Sequence, residues 1–141
     1  MNNKRIGYTT GVFDMFHIGH LNILRRAKEM CDYLIVGVST DELVEYEKQK
    51  RPIIPFEERM EIVKSIRYVD EVVPQIDKDK LAAFHRLDDR FNVMFVGSDW
   101  KGTPQWIEYE KQFAPYGVEI VYFPYTKGTS STILREKILK Q

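Results

Sequence analysis

Ile6-Gly7-Tyr8-Thr9-Thr10-Gly11-Val12-Phe13 is an apolar run that ends in a glycine-containing bend, and His17-Ile18-Gly19-His20 follows four residues later. Beyond the histidines, Leu21, Ile23, Leu24, Ala27 and Cys31 recur at helical spacing. The pattern changes from a strand to a helix from about residue 19 to residue 30, and the two histidines stand at the junction. There the first helical N–H groups lack intrahelical partners and the macrodipole supplies about half a positive charge, so the junction favours an anion. Gly19 lets the chain approach such an anion closely. An imidazole on each side can donate to a phosphoryl oxygen, and a protonated one adds charge that the transition state feels.

Outward from this junction the same alternation repeats. Residues 33–38 read as a second strand. Residues 41–51 form a polar segment too irregular for an obvious helix, which suggests a loop carrying Lys48, Lys50 and Arg51. A helix starting at Pro55 presents Phe56, Met60, Val63 and either Ile66 or Arg67 inward. Residues 71–74 form a short strand that Pro74 should end. Then come a helix over 81–87, a strand over 93–97, a helix over 104–113, a strand over 118–123 and a final helix over 132–139. The expected fold is α/β: one doubly wound parallel sheet of about five strands with helices on both faces, and a single domain over residues 1–141. In such a sheet ligands bind beyond the carboxyl ends of the strands, where the order switches.

The remaining composition narrows the function classes. The chain has 141 residues, and its 21 basic and 21 acidic side chains cancel. That balance supports neither a nucleic-acid coat nor a membrane-surface role, so any basic site must be local. No apolar run approaches the ~20 residues needed to span a bilayer. The N-terminus enters the first strand without the apolar core of a signal peptide, and the lone Cys31 precludes an intrachain disulfide. A cytoplasmic, reducing setting is expected. Cys31 reads as a small buried apolar residue rather than a nucleophile, and His85 as a surface or packing histidine.

The strand ends carry the other chemistry. Ser39-Thr40-Asp41 follows the second strand and Gly97-Ser98-Asp99-Trp100 the fourth. Thr126-Lys127-Gly128-Thr129-Ser130-Ser131-Thr132 lies before the last helix, either as a second anion cradle or as ordinary capping. Arg59 and Arg67, two helical turns apart, could face the crevice or water. Trp100 and Trp106 are candidates for base stacking or for packing. Asp14, His17 and His20 also offer a metal-ligand set, which would suit a metal-dependent phosphoesterase.

The stretch Gly11-Val12-Phe13-Asp14-Met15-Phe16-His17-Ile18-Gly19-His20 resembles the signature of the nucleotidyltransferase superfamily with paired histidines. Residues 33–41, 51–59, Ile66-Arg67-Tyr68-Val69-Asp70-Glu71-Val72, Gly97-Ser98-Asp99-Trp100 and 126–132 are similar to segments of small bacterial glycerol-3-phosphate cytidylyltransferases. The resemblance implies a Rossmann-like homodimer that joins CTP, or another NTP, to a phosphorylated small-molecule acceptor and releases pyrophosphate. It gives His17, His20, Lys48 and Ser130 catalytic roles. Val12, Phe13, Asp14, Gly19, Asp99, Trp100 and the segment Tyr125, Thr126, Lys127, Gly128, Thr129, Ser130, Ser131, Thr132 would contact the nucleotide. Lys50, Arg67 and Lys80 would bind the acceptor, and Mg²⁺ would be held mainly by phosphates with Asp14 nearby.

The chain also departs from that pattern. Tyr125 stands where the family usually has arginine, Val12 where a small hydroxyl residue is common, and residues 75–80, which the resemblance implies lie near the acceptor, match poorly. Arg51-Pro52-Ile53-Ile54-Pro55 resembles adenylyltransferases acting on FMN or sugar phosphates. A nucleotide-binding module that has lost turnover is the non-enzymatic alternative.

Overall fold

In a computed structural model, which describes residues 4–124, five parallel strands lie in the order β3-β2-β1-β4-β5. They are β1 (Ile6–Gly11), β2 (Tyr33–Ser39), β3 (Glu71–Gln75), β4 (Val93–Gly97) and β5 (Glu119–Phe123). The helices are α1 (Ile18–Glu29), α2 (Asp41–Lys48), α3 (Phe56–Lys64), α4 (Lys80–Arg86) and α5 (Pro104–Phe113). The chain builds outward from β1 to β2 and β3, then crosses to β4 on the other side of β1. The switch point therefore lies between β1 and β4, as the doubly wound reading expected.

Strand alternation divides the core into two layers. Leu34, Val36 and Val38 of β2 pack with Leu24, Ala27 and Val63 of α1 and α3. Ile35 faces the opposite way and joins Tyr8, Met94, Phe84, Trp106 and Phe113 beneath α4 and α5. Phe56, Met60 and Ile66 flank the first layer, as their spacing predicted.

Two expectations are corrected. Residues 41–48 form a helix, not an irregular loop: Thr40 caps it by accepting the Leu43 N–H at 3.1 Å, and Asp41 and Glu42 favour its positive end. Its buried face holds only Leu43 and Val44, too few to leave a periodic signal. Pro74 does not end β3, which continues to Gln75. β3 is an edge strand, so an outward-facing proline deprives the ladder of nothing. The helix expected from Pro55 begins one residue later, with Pro55 at its cap.

The second anion cradle, residues 125–132, and the helix over 132–139 lie outside the described residues. Among the described residues no helix is long and apolar enough to cross a membrane.

Candidate active site

The two histidines cap α1 themselves. Nδ1 of His17 accepts the N–H of Gly19 at 3.0 Å and also faces the N–H of His20. Nδ1 of His20 accepts the N–H of His17 at 3.2 Å, completing a reciprocal capping box. The sequence suggested that free helix amides would meet an anion; in the structure His17 takes two of them, those of Gly19 and His20. The geometry also assigns the tautomer. With Nδ1 an acceptor in both rings, each neutral imidazole carries its proton on Nε2 and can donate there. Nε2 of His17 is buried and has no partner among the described residues.

The rings stack with centroids 3.9 Å apart, and Phe13 and Phe16 stand 5.4 and 5.2 Å from His20. Burial, reinforced by the like charge of His17 and opposed by Asp14, pulls His20 down to about 4. Burial also lowers His17. Both are neutral donors at pH 7. Because the unfolded His20 binds a proton near pH 6.5 and the folded one near 4, stability rises with pH between those values. The ligand-free protein should therefore lose up to about 2–3 kcal/mol as pH falls from 6.5 to 4. A melting temperature that stays level from pH 7 to 4.5, or an unaltered slope in His20→Gln, would contradict this.

A crevice of about 430 Å³ opens over the carboxyl ends of the strands, within the range of small-molecule sites. Val12, Phe13 and His20 line it from the β1–α1 turn, and Lys48 from the end of α2. His17 is not a lining residue itself but stacks on His20, which is. Across β1 the wall is Phe95, Val96 and Gly97 of β4 with Trp100, which remains 44% exposed. Trp106 lines the crevice yet is only 4% exposed, so it is largely a packing residue. Gly19 is buried inside the cap.

Sequence reading missed Thr10, Glu47 and Tyr109, which also line the crevice, as do Gln75, Asp77 and Lys78 of the segment that the resemblance places near the acceptor. Lys80, reached before only through resemblance, donates from Nζ to Thr10 at 2.9 Å and lines it too. Burial pulls its amine down to about 8, against the pull of Glu47 and Asp77.

Other candidates lie elsewhere. Arg67 occupies the turn that enters β3, at the amino edge of the sheet, and its guanidinium stacks on Tyr68 at 5.1 Å. In a parallel sheet that edge is opposite the crevice, so this chain does not bring Arg67 to its own site. Lys50 is exposed past the end of α2 and is not a lining residue, and Arg51 is held by Glu45 at 2.7 Å. Asp99 is exposed beside Trp100 and likewise does not line the crevice. His85 pairs with Asp89 at 2.7 Å on the surface, in keeping with the packing or surface reading.

Asp14 is structural. Its carboxylate oxygens accept the N–H groups of Ile53 and Ile54, each at 2.8 Å. Both oxygens therefore accept a backbone N–H, which gives Asp14 a structural role in this turn. No cluster of three or more metal-ligating side chains occurs among the described residues. Asp14, His17 and His20 form no such cluster, so the described residues offer the metallophosphoesterase reading no ligand set.

The sequence matches the pattern of the cytidylyltransferase-like family over residues 8–137. The chain belongs to that family. It is 38% identical to a glycerol-3-phosphate cytidylyltransferase of Bacillus subtilis over 130 residues, covering 92% of this chain and 94% of the relative. It is also 35% identical to an FAD synthase of Thermococcus kodakarensis over 116 residues, covering 82% and 76%. A crystal structure of a lipopolysaccharide core biosynthesis protein from Thermoplasma volcanium superposes with a TM-score of 0.71 over 90% of this chain and 100% of the other. At 22% identity that likeness establishes the fold alone. As a cytidylyltransferase-like nucleotidyltransferase, the chain takes a nucleotide and a phosphorylated acceptor.

Proposed function

We propose that this enzyme transfers CMP from CTP to a phosphorylated small alcohol resembling glycerol 3-phosphate and releases pyrophosphate, for assembly of a cell-surface polymer or lipid precursor. The observation that carries the chemistry is the reciprocal histidine cap, which leaves two Nε2–H donors at the start of α1 beside a lysine-bearing crevice. The full-length similarity to a glycerol-3-phosphate cytidylyltransferase supports the substrates.

An acceptor phosphate oxygen attacks the α-phosphorus in line, the new P–O bond forms, and the bond from the α-phosphorus to the bridging oxygen breaks. Pyrophosphate leaves with that electron pair. A phosphate monoester is already anionic at neutral pH, so no general base is required. Catalysis is then positioning and charge stabilisation. His17 and His20 donate from Nε2–H to the triphosphate and stabilise the charge that the leaving group gains. Lys48 and Lys80 attract the acceptor phosphate, and Ser130 with its neighbours through Thr132 cradles the β- and γ-phosphates. Mg²⁺ would be bound mainly by the phosphates with Asp14 nearby, and would supply neutralisation of the triphosphate charge. Assembly as a homodimer and a cytoplasmic setting belong to the same reading.

Adenylyl transfer to FMN is the second reading, favoured by the similarity to an FAD synthase. The enzyme should be incubated with each NTP, Mg²⁺ and a panel of phosphorylated polyols, aminoalcohols, sugars and FMN, with pyrophosphate measured and products weighed by mass spectrometry. CTP with glycerol 3-phosphate should give the largest pyrophosphate release and a CDP-linked product. Turnover confined to ATP and FMN would replace the first reading with the second. No release from any pair would remove both.

A further inference from the structure

Between β1 and His17 the backbone is held in an unfavourable shape. Phe13 and Met15 have φ of 56° and 49°, left-handed values that L-residues with side chains rarely adopt. Such outliers persist only where the surroundings over-determine them. Here the restraint comes from 39 to 47 residues away in sequence. Asp14, between the two strained residues, is fastened to the Ile53 and Ile54 amides. One Arg59 nitrogen, Nη1, donates to the carbonyls of Val12 at 2.8 Å and Ser39 at 2.7 Å. Its Nε donates to Ile54 O at 2.8 Å, and Nη2 to Asp41 at 2.6 Å. A single guanidinium, wholly buried, thus joins the ends of β1 and β2, the start of α2 and the segment entering α3.

We propose that Asp14 and Arg59 are positioning residues which, through this clamp, hold the strained turn that orients the His17 and His20 rings. Asp14 is 4% exposed and Arg59 wholly buried, and both bond to protein groups, so they act through the turn and not by touching substrate. Residues 13–15 determine where α1 begins, and the start of α1 determines whether both Nδ1 atoms meet backbone N–H groups. Loss of the clamp lets the turn relax, misaligns the capping box and scrambles the Nε2–H tautomer. Val12 and Ser39 do line the crevice, so the same guanidinium also spaces its two walls.

This inference rests on the histidines serving nucleotidyl transfer, and its test separates the two. Asp14→Asn keeps the shape but opposes an NH₂ to one amide; Arg59→Lys keeps the charge but loses the fork. Both variants should be compared with Phe84→Leu, which weakens the opposite core layer, at temperatures where all are folded. The clamp variants should lose about 10- to 100-fold in kcat with less than about a 3-fold change in nucleotide KM. Their imidazole ¹⁵N spectra should shift from the Nε2–H tautomer toward a mixture, while Phe84→Leu keeps wild-type values of both. The proposal is overturned if either clamp variant, folded, keeps the wild-type kcat and tautomer, or if Phe84→Leu shows the same losses. Should Asp14→Asn fail to fold, Arg59→Lys carries the test. A wild-type protein that releases no pyrophosphate would sink the reaction, whereas the ring spectra would still judge the clamp.

Discussion

Alanine at His17 or His20 is expected to slow nucleotidyl transfer about 10²–10³-fold, the usual cost of one donor to developing charge, or roughly 3–4 kcal/mol. The capping geometry allows catalysis to be separated from folding. His17 also caps α1, so His17→Ala should cost about 1 kcal/mol of stability as well, whereas Asn is a good N-cap residue. Likewise Gln at position 20 can complete a capping box but lacks the imidazole Nε2–H. His17→Asn and His20→Gln should therefore stay near wild-type stability while kcat remains depressed. A folded His17→Ala/His20→Ala double variant releasing pyrophosphate at the wild-type rate would refute the assignment.

Arg59→Ala should be the most destabilising single change in the described fold, at about 3–5 kcal/mol, because it removes one partner of a buried ion pair. Asp41 is the partner left behind. Burial pushes its carboxyl up, but the Arg59 and Phe56 hydrogen bonds outweigh burial and keep it below its ordinary value. Three carbonyl oxygens, of Val12, Ser39 and Ile54, would lose the same donor. Urea denaturation monitored by tryptophan fluorescence would measure the loss. A change below about 1 kcal/mol would show that water or neighbouring groups satisfy these atoms without the guanidinium.

Arg59 also shows where sequence reading stopped. Its spacing from Arg67 allowed either the crevice or water, but the structure places Arg59 in the core and Arg67 at the far edge of the sheet. The helix places Arg59 with the inward residues Met60 and Val63, while Arg67 lies beyond the last turn of α3. Periodicity states which residues share a face; it does not state which carbonyls await a donor beneath that face. The structural partners of Asp14 were hidden for the same reason, because Ile53 and Ile54 are some forty residues away. The α2 segment failed as a helix in sequence because only Leu43 and Val44 are buried on it.

Amino-acid order by itself determined the β/α alternation, the parallel sheet, the strand-to-helix junction at His17 and His20, and hence the end of the fold where a ligand binds. Those follow from local physics: the hydrophobic period selects strand or helix, and short connections select right-handed crossovers. Only tertiary structure decided that the histidines cap their own helix, that Asp14 and Arg59 brace the turn before them, and that Lys80 joins the crevice while Arg67 does not. These depend on hydrogen bonds and burial between segments distant in the chain, whose energies come from groups removed together from water and are absent from any local pattern.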